Sequence, residues 1–326
     1  MPPSQYRLAA ELVEMIHENF QGFHPGYRGV HAQGRYYAAV FKATPEAKKL
    51  SRAVHLQGQS VPATVRHGHS PSGNPWGPAV TPSMAVKFYL PDGTVTDLIA
   101  LNIPVFFGRT PDEVLETLKT LKPDPATGKP DEKKVMQFLA TRPWIGNAFK
   151  LAKALPAPVS FAQTNFHALH AFRFVNAADE GQYARYHWES EAGVAGQTLE
   201  ELQKQSPSYL FEELEARLRK APVIFNLVLQ LAQEGDITDD PTVLWPADRP
   251  RVTIGRLEII RTTTVEEIGD PVMLHDPTRL TDGIEASDDP VLAVRRGVYE
   301  VSVAHRTGGW KGRLAALERE GSPFAI

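Results

Sequence analysis

The sequence predicts an α+β fold built on an antiparallel β-barrel with flanking helices, and three observations predict it. Aromatic and β-branched runs are joined by short local turns, which makes neighbouring strands antiparallel. Met84 to Leu90 and Thr94 to Leu101 flank the turn triplet Pro91-Asp92-Gly93 and read as a hairpin. Helical signals gather elsewhere, chiefly later in the chain.

In chain order, Ser4 to Phe20 sets Leu8, Leu12, Val13, Ile16 and Phe20 against Glu11, Glu14 and Glu18, the pattern of an amphipathic helix. It lacks the continuous apolar run of a signal peptide, so the expected location is cytoplasmic. Arg35 to Lys42 and Val61 to Arg66 read as strands. Ala171 to Val175 and Gln182 to Trp188, around Asn176 to Gly181, read as a second hairpin. Thr110-Pro111-Asp112-Glu113 opens a helix reaching about Leu121, with a capping hydroxyl, a proline at the first turn and a glutamate at the reciprocal capping position. Leu199 to Gln233 reads as helical with breaks near Pro207 and Pro222, and a last helix is expected from Gly309 to Glu320. Ser70 to Pro82, Lys122 to Lys133 and Gly235 to Pro250 read as loops.

Composition narrows the chemistry. The 326 residues contain no cysteine, which excludes disulfides, thiolate-bound haem, iron–sulfur clusters and cysteine-bound zinc. A chain without thiols suits contact with peroxide. The net charge of −3 is interspersed, with no basic stripe, so no nucleic-acid partner is expected; no apolar run reaches membrane-spanning length, so no membrane partner is expected.

Two short motifs carry candidate chemistry. Arg295 and Tyr299 are four residues apart, so on a helix a guanidinium can reach the phenolic oxygen and favour its ionised form. A phenolate is a hard anionic donor suited to ferric iron, although this spacing alone is common. Arg28-Gly29-Val30-His31-Ala32-Gln33-Gly34 precedes the first strand. Its histidine can take a proton from one peroxide oxygen and return it to the other, and Arg28 can pair with a carboxylate. On its own, His31 reads equally well as a turn histidine.

Together these stretches resemble catalases. The first motif looks like that family's Arg-x-x-His-Ala-x-Gly segment. Ala85-Val86-Lys87-Phe88-Tyr89, Asp92-Gly93, Asp97-Leu98 and Pro104-Val105-Phe106-Phe107 follow in the family's order and spacing. Phe172-Arg173-Phe174-Val175-Asn176-Ala177, Tyr186-His187-Trp188, Ile254-Gly255-Arg256-Leu257, Asp276-Pro277 and Gly283 to Ser287 continue the likeness, which spans about Gly22 to Arg306. The resemblance implies a haem b enclosed by the barrel, with Tyr299 on the iron, His31 as acid–base group opposite and Arg295 beside the tyrosine. It further implies Arg28, Arg66 and Arg306 on the propionates, and Val30 and Phe107 lining the haem. The shorter chain is expected to form a single domain, 1–326, without the long N-terminal arm and C-terminal domain of full-size catalases. It implies a homo-oligomer, a dimer among the candidates.

Three departures are visible. Catalases carry paired asparagines before this proline segment, the first of them distal; here Leu101 and Asn102 stand there, so Asn102 matches the second. The serine that supports the distal histidine falls at Gly68, and the phenylalanine that stacks on haem falls near Val114. Disproportionation uses peroxide twice, and one lost orienting donor costs on the order of tenfold in the second use. The expected activity is therefore a peroxidase that reduces hydrogen peroxide or organic peroxides with an organic reductant, with weak catalase activity. Two alternatives stand beside it: a haem isomerase or dehydratase of fatty-acid hydroperoxides, and a non-enzymatic haem-binding barrel.

Other residues read more plainly. His67-Gly68-His69 places two imidazoles on one side of a strand, half of a metal site at most. His167 and His170 read as surface or core-edge residues, and Trp76, Trp144 and Trp310 as packing.

Overall fold

The computed structural model describes residues 3–19, 28–71 and 80–308. Eight strands close into an antiparallel barrel: β1 (Gln33–Ala43), β2 (Ser60–Pro71), β3 (Val80–Tyr89), β4 (Val95–Leu101), β5 (Phe166–Val175), β6 (Gly181–Ser190), β7 (Val223–Leu231) and β8 (Arg251–Thr263). The order around the barrel is β1-β2-β3-β4-β5-β6-β7-β8 and back to β1, so each strand pairs with its predecessor in sequence. A short ninth strand, β9 (Ile284–Ala286), adds to β5.

Alternation explains the core. Tyr37, Phe41, Val65, Met84, Val86, Leu98, Ala100, Phe166, Phe174, Trp188, Phe225 and Leu257 point inward from successive strands and fill the interior. The rings interlock at angles: Phe41 meets Phe88 at 5.2 Å and 74° between planes.

Helices pack outside this wall. Those of five residues or more are α1 (Pro3–Asn19), α2 (Pro111–Thr120), α3 (Glu132–Ala140), α4 (Pro143–Ala154), α5 (Leu199–Gln203), α6 (Tyr209–Leu218) and α7 (Pro290–Arg306). Thr110 caps α2, its hydroxyl accepting from the Glu113 amide at 3.2 Å, with Pro111 at the first turn. Ala9, Leu12 and Val13 of α1 form a second apolar cluster with Val114, Leu115 and Leu118 of α2 and with Val291, Val294 and Val301 of α7.

Two expectations need correction. The stretch from Leu199 to Gln233 is helical only over α5 and α6; residues 223–231 are the buried strand β7. Val223, Ile224, Phe225 and Val228 are stiff or bulky residues that favour a strand, and apolar Ile224 and Val228 on the face that also carries Asn226 and Gln230 blur the period-two signal. Strands also return after the helices, because β7 and β8 close the barrel. The helix expected from Gly309 to Glu320, Trp76 and Trp310 lie outside the described residues.

Candidate active site

On α7, Arg295, Tyr299 and Arg306 share one stripe of the helix. The Arg295 guanidinium donates Nη2–H to the Tyr299 hydroxyl oxygen at 2.6 Å. Its Nη1 lies 2.9 Å from His170 Nε2, and His170 Nδ1 lies 2.6 Å from Asp289 Oδ2. A guanidinium can only donate, so Nε2 is the acceptor and the ring proton sits on Nδ1, donated to the carboxylate. Burial, the largest influence, holds the His170 imidazole below its ordinary value and therefore neutral. The other oxygen of Asp289 accepts the Val291 and Leu292 amides at 2.8 and 3.2 Å and caps α7. A chain of four residues thus runs from the helix start to the phenolic oxygen. His170 and Asp289 are each 1% exposed.

Sequence reading missed Asp289 and placed His170 at the surface or core edge. Its burial comes from a bulge. The β5–β6 register shifts between His167 and Ala171, and Leu169 adopts φ of +64°. The only usable sequence signal is Asp289-Pro290, an N-cap followed by proline at a helix start.

His31 sits in the turn before β1 with φ of +52°. The Arg66 guanidinium donates to the His31 carbonyl at 2.9 Å and fixes the turn. Burial first and Arg66 second push His31 down to about 3, so its ring is neutral. Gly34 lies beneath Arg66: a Cβ there would lie 2.1 Å from Nη2 and push the guanidinium aside.

Arg28, Arg66 and Arg306 converge. Arg28 donates to the Met273 carbonyl, and Arg306 donates to the Val272 carbonyl at 2.9 Å. Burial and then Arg28 pull Arg66 down to about 9, and the same two causes lower Arg306. Among the described residues none of the three forms an ion pair with a carboxylate. These contacts connect the helix of Tyr299 to the turn of His31 through residues 272–273.

Register places the departures. Gly34, Gly68, Ser83 and Leu101 are directly opposite across β1, β2, β3 and β4, so they share one face. That face also carries Arg66, two residues from Gly68. Asn102 follows Leu101 and continues the inward alternation of Leu98 and Ala100; it is buried, and its backbone N–H donates to the Pro82 carbonyl at 3.3 Å. The row beside Arg66 therefore carries Leu101, and Asn102 is set off it. The Ser83 hydroxyl in that row is committed to the Gly68 carbonyl at 3.1 Å.

Val30 is half-buried between Gly29 and His31. Phe107 meets Phe106 at 4.4 Å and packs against the α1–α2–α7 cluster that includes Val114. His67 stacks on Phe161 at 4.6 Å, and its Nδ1 lies 3.2 Å from the Ser83 carbonyl. Among the described residues no cluster of metal-ligating side chains forms around it. His167 pairs with His187, their Nδ1 atoms 2.7 Å apart. Trp144 lies under the Arg109 guanidinium at 3.7 Å and donates to Glu113 at 3.1 Å.

Three comparisons bear on this arrangement. The family model described as catalase matches residues 12–315. A catalase-related peroxidase of Mycolicibacterium paratuberculosis is 38% identical over 299 residues, covering 90% of this chain and 93% of its own. One of Synechococcus elongatus is 35% identical over 292 residues, covering 88% and 86%. A bacterial catalase structure shares the fold with a TM-score of 0.73 at 20% identity; the match covers 87% of this chain and 58% of that longer one.

Proposed function

The chain belongs to the catalase family, and on that premise we propose that it is a haem b peroxidase in which Tyr299 holds the iron, His31 handles the proton and an organic molecule supplies the electrons. Action on peroxide follows from the family and from relatives at 35–38% identity that are catalase-related peroxidases. Neither the hydroperoxide isomerase nor the non-enzymatic barrel gains support from them. The carrying observation is the buried chain Asp289–His170–Arg295–Tyr299, which delivers a fixed positive charge to one phenolic oxygen.

The residues fit a haem. Arg28, Arg66 and Arg306 are crowded together with no ion pair to a carboxylate among the described residues, Asp270 acting electrostatically on Arg306, an arrangement that two propionates would neutralise. When bound, the haem would supply the redox chemistry of peroxide reduction. The protein's share is positional. Arg295 stabilises the tyrosinate. His31, kept neutral by burial, takes the proton from the near peroxide oxygen and delivers it to the departing one. Arg66 holds the His31 turn in place through the carbonyl.

Leu101 and Gly68 contribute no hydrogen-bonding side chain to the row beside Arg66, and Ser83 is already engaged. This supports weak oxygen evolution relative to oxidation of organic reductants. The reading extends to a homo-oligomer in the cytoplasm and to one haem-binding domain.

The test compares purified protein with two variants. Wild type is expected to carry a Soret band that responds to peroxide and to oxidise a phenolic dye faster than it releases oxygen, at equal haem. Tyr299→Phe should lose or alter haem ligation; His31→Ala should keep haem and react slowly with peroxide. Vigorous oxygen release with negligible dye oxidation would reject the peroxidase reading, and a His31→Ala variant as fast as wild type would reject the acid–base role.

A further inference from the structure

Residues 272–275 form a short segment whose backbone is taken up by cations. The Val272 carbonyl accepts from Arg306, the Met273 carbonyl from Arg28 and the Leu274 carbonyl from Lys87 at 2.7 Å. The next residue, His275, is 2% exposed, and among the described residues neither of its ring nitrogens has a hydrogen-bond partner. Two orphaned polar atoms on one buried side chain are costly and call for a ligand.

The surroundings name its charge. Arg28, Lys87, Arg66 and Arg279 all bear on the His275 ring. Lys87 and Arg279 are matched by the buried Asp97 at 3.3 and 3.1 Å, and the same carboxylate accepts the Asp276 amide at 3.0 Å. This pins the segment to β3 and β4. Arg28, Arg66 and Arg306 form no ion pair with a carboxylate among the described residues, although Asp270 acts electrostatically on Arg306. Met273 holds φ of +40°, a left-handed conformation that is kept by the surrounding contacts.

We propose that His275 is a direct haem-binding residue, its ring N–H donating to a propionate carboxylate drawn in by Arg28, Arg66 and Arg306, while its other nitrogen accepts from one of those guanidiniums. Burial and the surrounding cations keep the imidazole neutral, and only a neutral ring offers one donor and one acceptor. It can then bridge an anion and a cation without adding to the local positive charge. The inference rests on the haem reading above and adds a fourth side chain to the three arginines.

The test separates the propionate contact from general packing. Apoprotein is titrated with ferric protoporphyrin and, separately, with its propionate dimethyl ester, following the Soret band. His275→Phe should weaken binding of the free acid about tenfold or more, as expected for a lost hydrogen bond to a charged group. It should leave ester binding unchanged. The thermal midpoint of the apoprotein reports whether the variant folds; should His275→Phe not fold, His275→Met carries the same comparison. Equal weakening of both porphyrins, or no weakening of either, overturns the proposal. A wild-type apoprotein that takes up neither porphyrin would reject the haem reading itself, a distinguishable result.

Discussion

Replacing Asp289 with asparagine probes the buried chain that ends on Tyr299. Asparagine is nearly isosteric and a good N-cap, so its carbonyl oxygen keeps the Val291 and Leu292 amides and α7 keeps its start. What changes is the atom facing His170 Nδ1. A carboxylate oxygen at 2.6 Å becomes an amide N–H, and two donors oppose each other in a site 1% exposed. The imidazole can escape only by moving its proton to Nε2, where it meets Arg295 Nη1 at 2.9 Å, again donor against donor. Loss of a buried hydrogen bond to a charged group costs about 1.5–3 kcal/mol, and no compensating contact appears. Asp289→Asn is therefore expected to destabilise the apoprotein by about 2 kcal/mol in urea unfolding. Asp289→Ala, which also removes the cap, should lose about 1 kcal/mol more. In the haem-loaded protein the displaced guanidinium should shift the Soret band, because Arg295 no longer donates squarely to Tyr299. An Asp289→Asn protein within about 0.5 kcal/mol of wild type and with an unchanged Soret band would refute the proton placement on which this reasoning depends.

Further outcomes follow from the packing and the charges. Gly255→Ala puts a Cβ 2.2 Å from Cζ of the fully buried Phe41 and should cost about 1–3 kcal/mol; an unchanged thermal midpoint would show that Phe41 has room to move. Acidification should destabilise the fold. Burial pushes His55 to about 4 and His67 to about 3, from an ordinary 6.5. Below 6.5 the unfolded chain binds more protons than the folded one, so stability is complete above 6.5 and falls as pH drops towards the folded values. The loss is about 1.4 kcal/mol per pH unit for each histidine, and urea midpoints flat between pH 7 and pH 5 would contradict it. Leu101→Asn places a hydrogen-bonding side chain in the row of Gly34, Gly68 and Ser83. It should raise oxygen release relative to dye oxidation several-fold, by the general worth of an orienting donor of about tenfold or more, and an unchanged ratio would show that this row does not orient peroxide.

What was legible in the chain alone was local. The hairpin around Pro91-Asp92-Gly93, the capped helix at Thr110 and the Arg295–Tyr299 pair all depend on residues a few positions apart, where turn chemistry and helical spacing speak directly. The order of the longer motifs was legible as well, and the structure supplies their physical reason. Lys87 and Asp97 are cross-strand partners that hold the backbone after Met273 in place. The strand at 223–231 was hidden because Ile224 and Val228 on its other face are apolar too, which blurs the alternation of Val223, Phe225, Leu227 and Leu229 with Asn226 and Gln230.

The sequence by itself determined the antiparallel strand runs, the acid–base candidate His31 and the tyrosine with its arginine. Only the tertiary structure decided that His170 and Asp289 complete that pair, that Leu101 and not Asn102 shares a face with Gly68, and that Arg28 and Arg66 come to bear on His275. The reason is distance along the chain. His170 lies 125 residues from Arg295, and its direction is set by a bulge and a single left-handed residue, Leu169. Side-chain facing reverses with a one-residue change of register, so such contacts exist only once the barrel has closed.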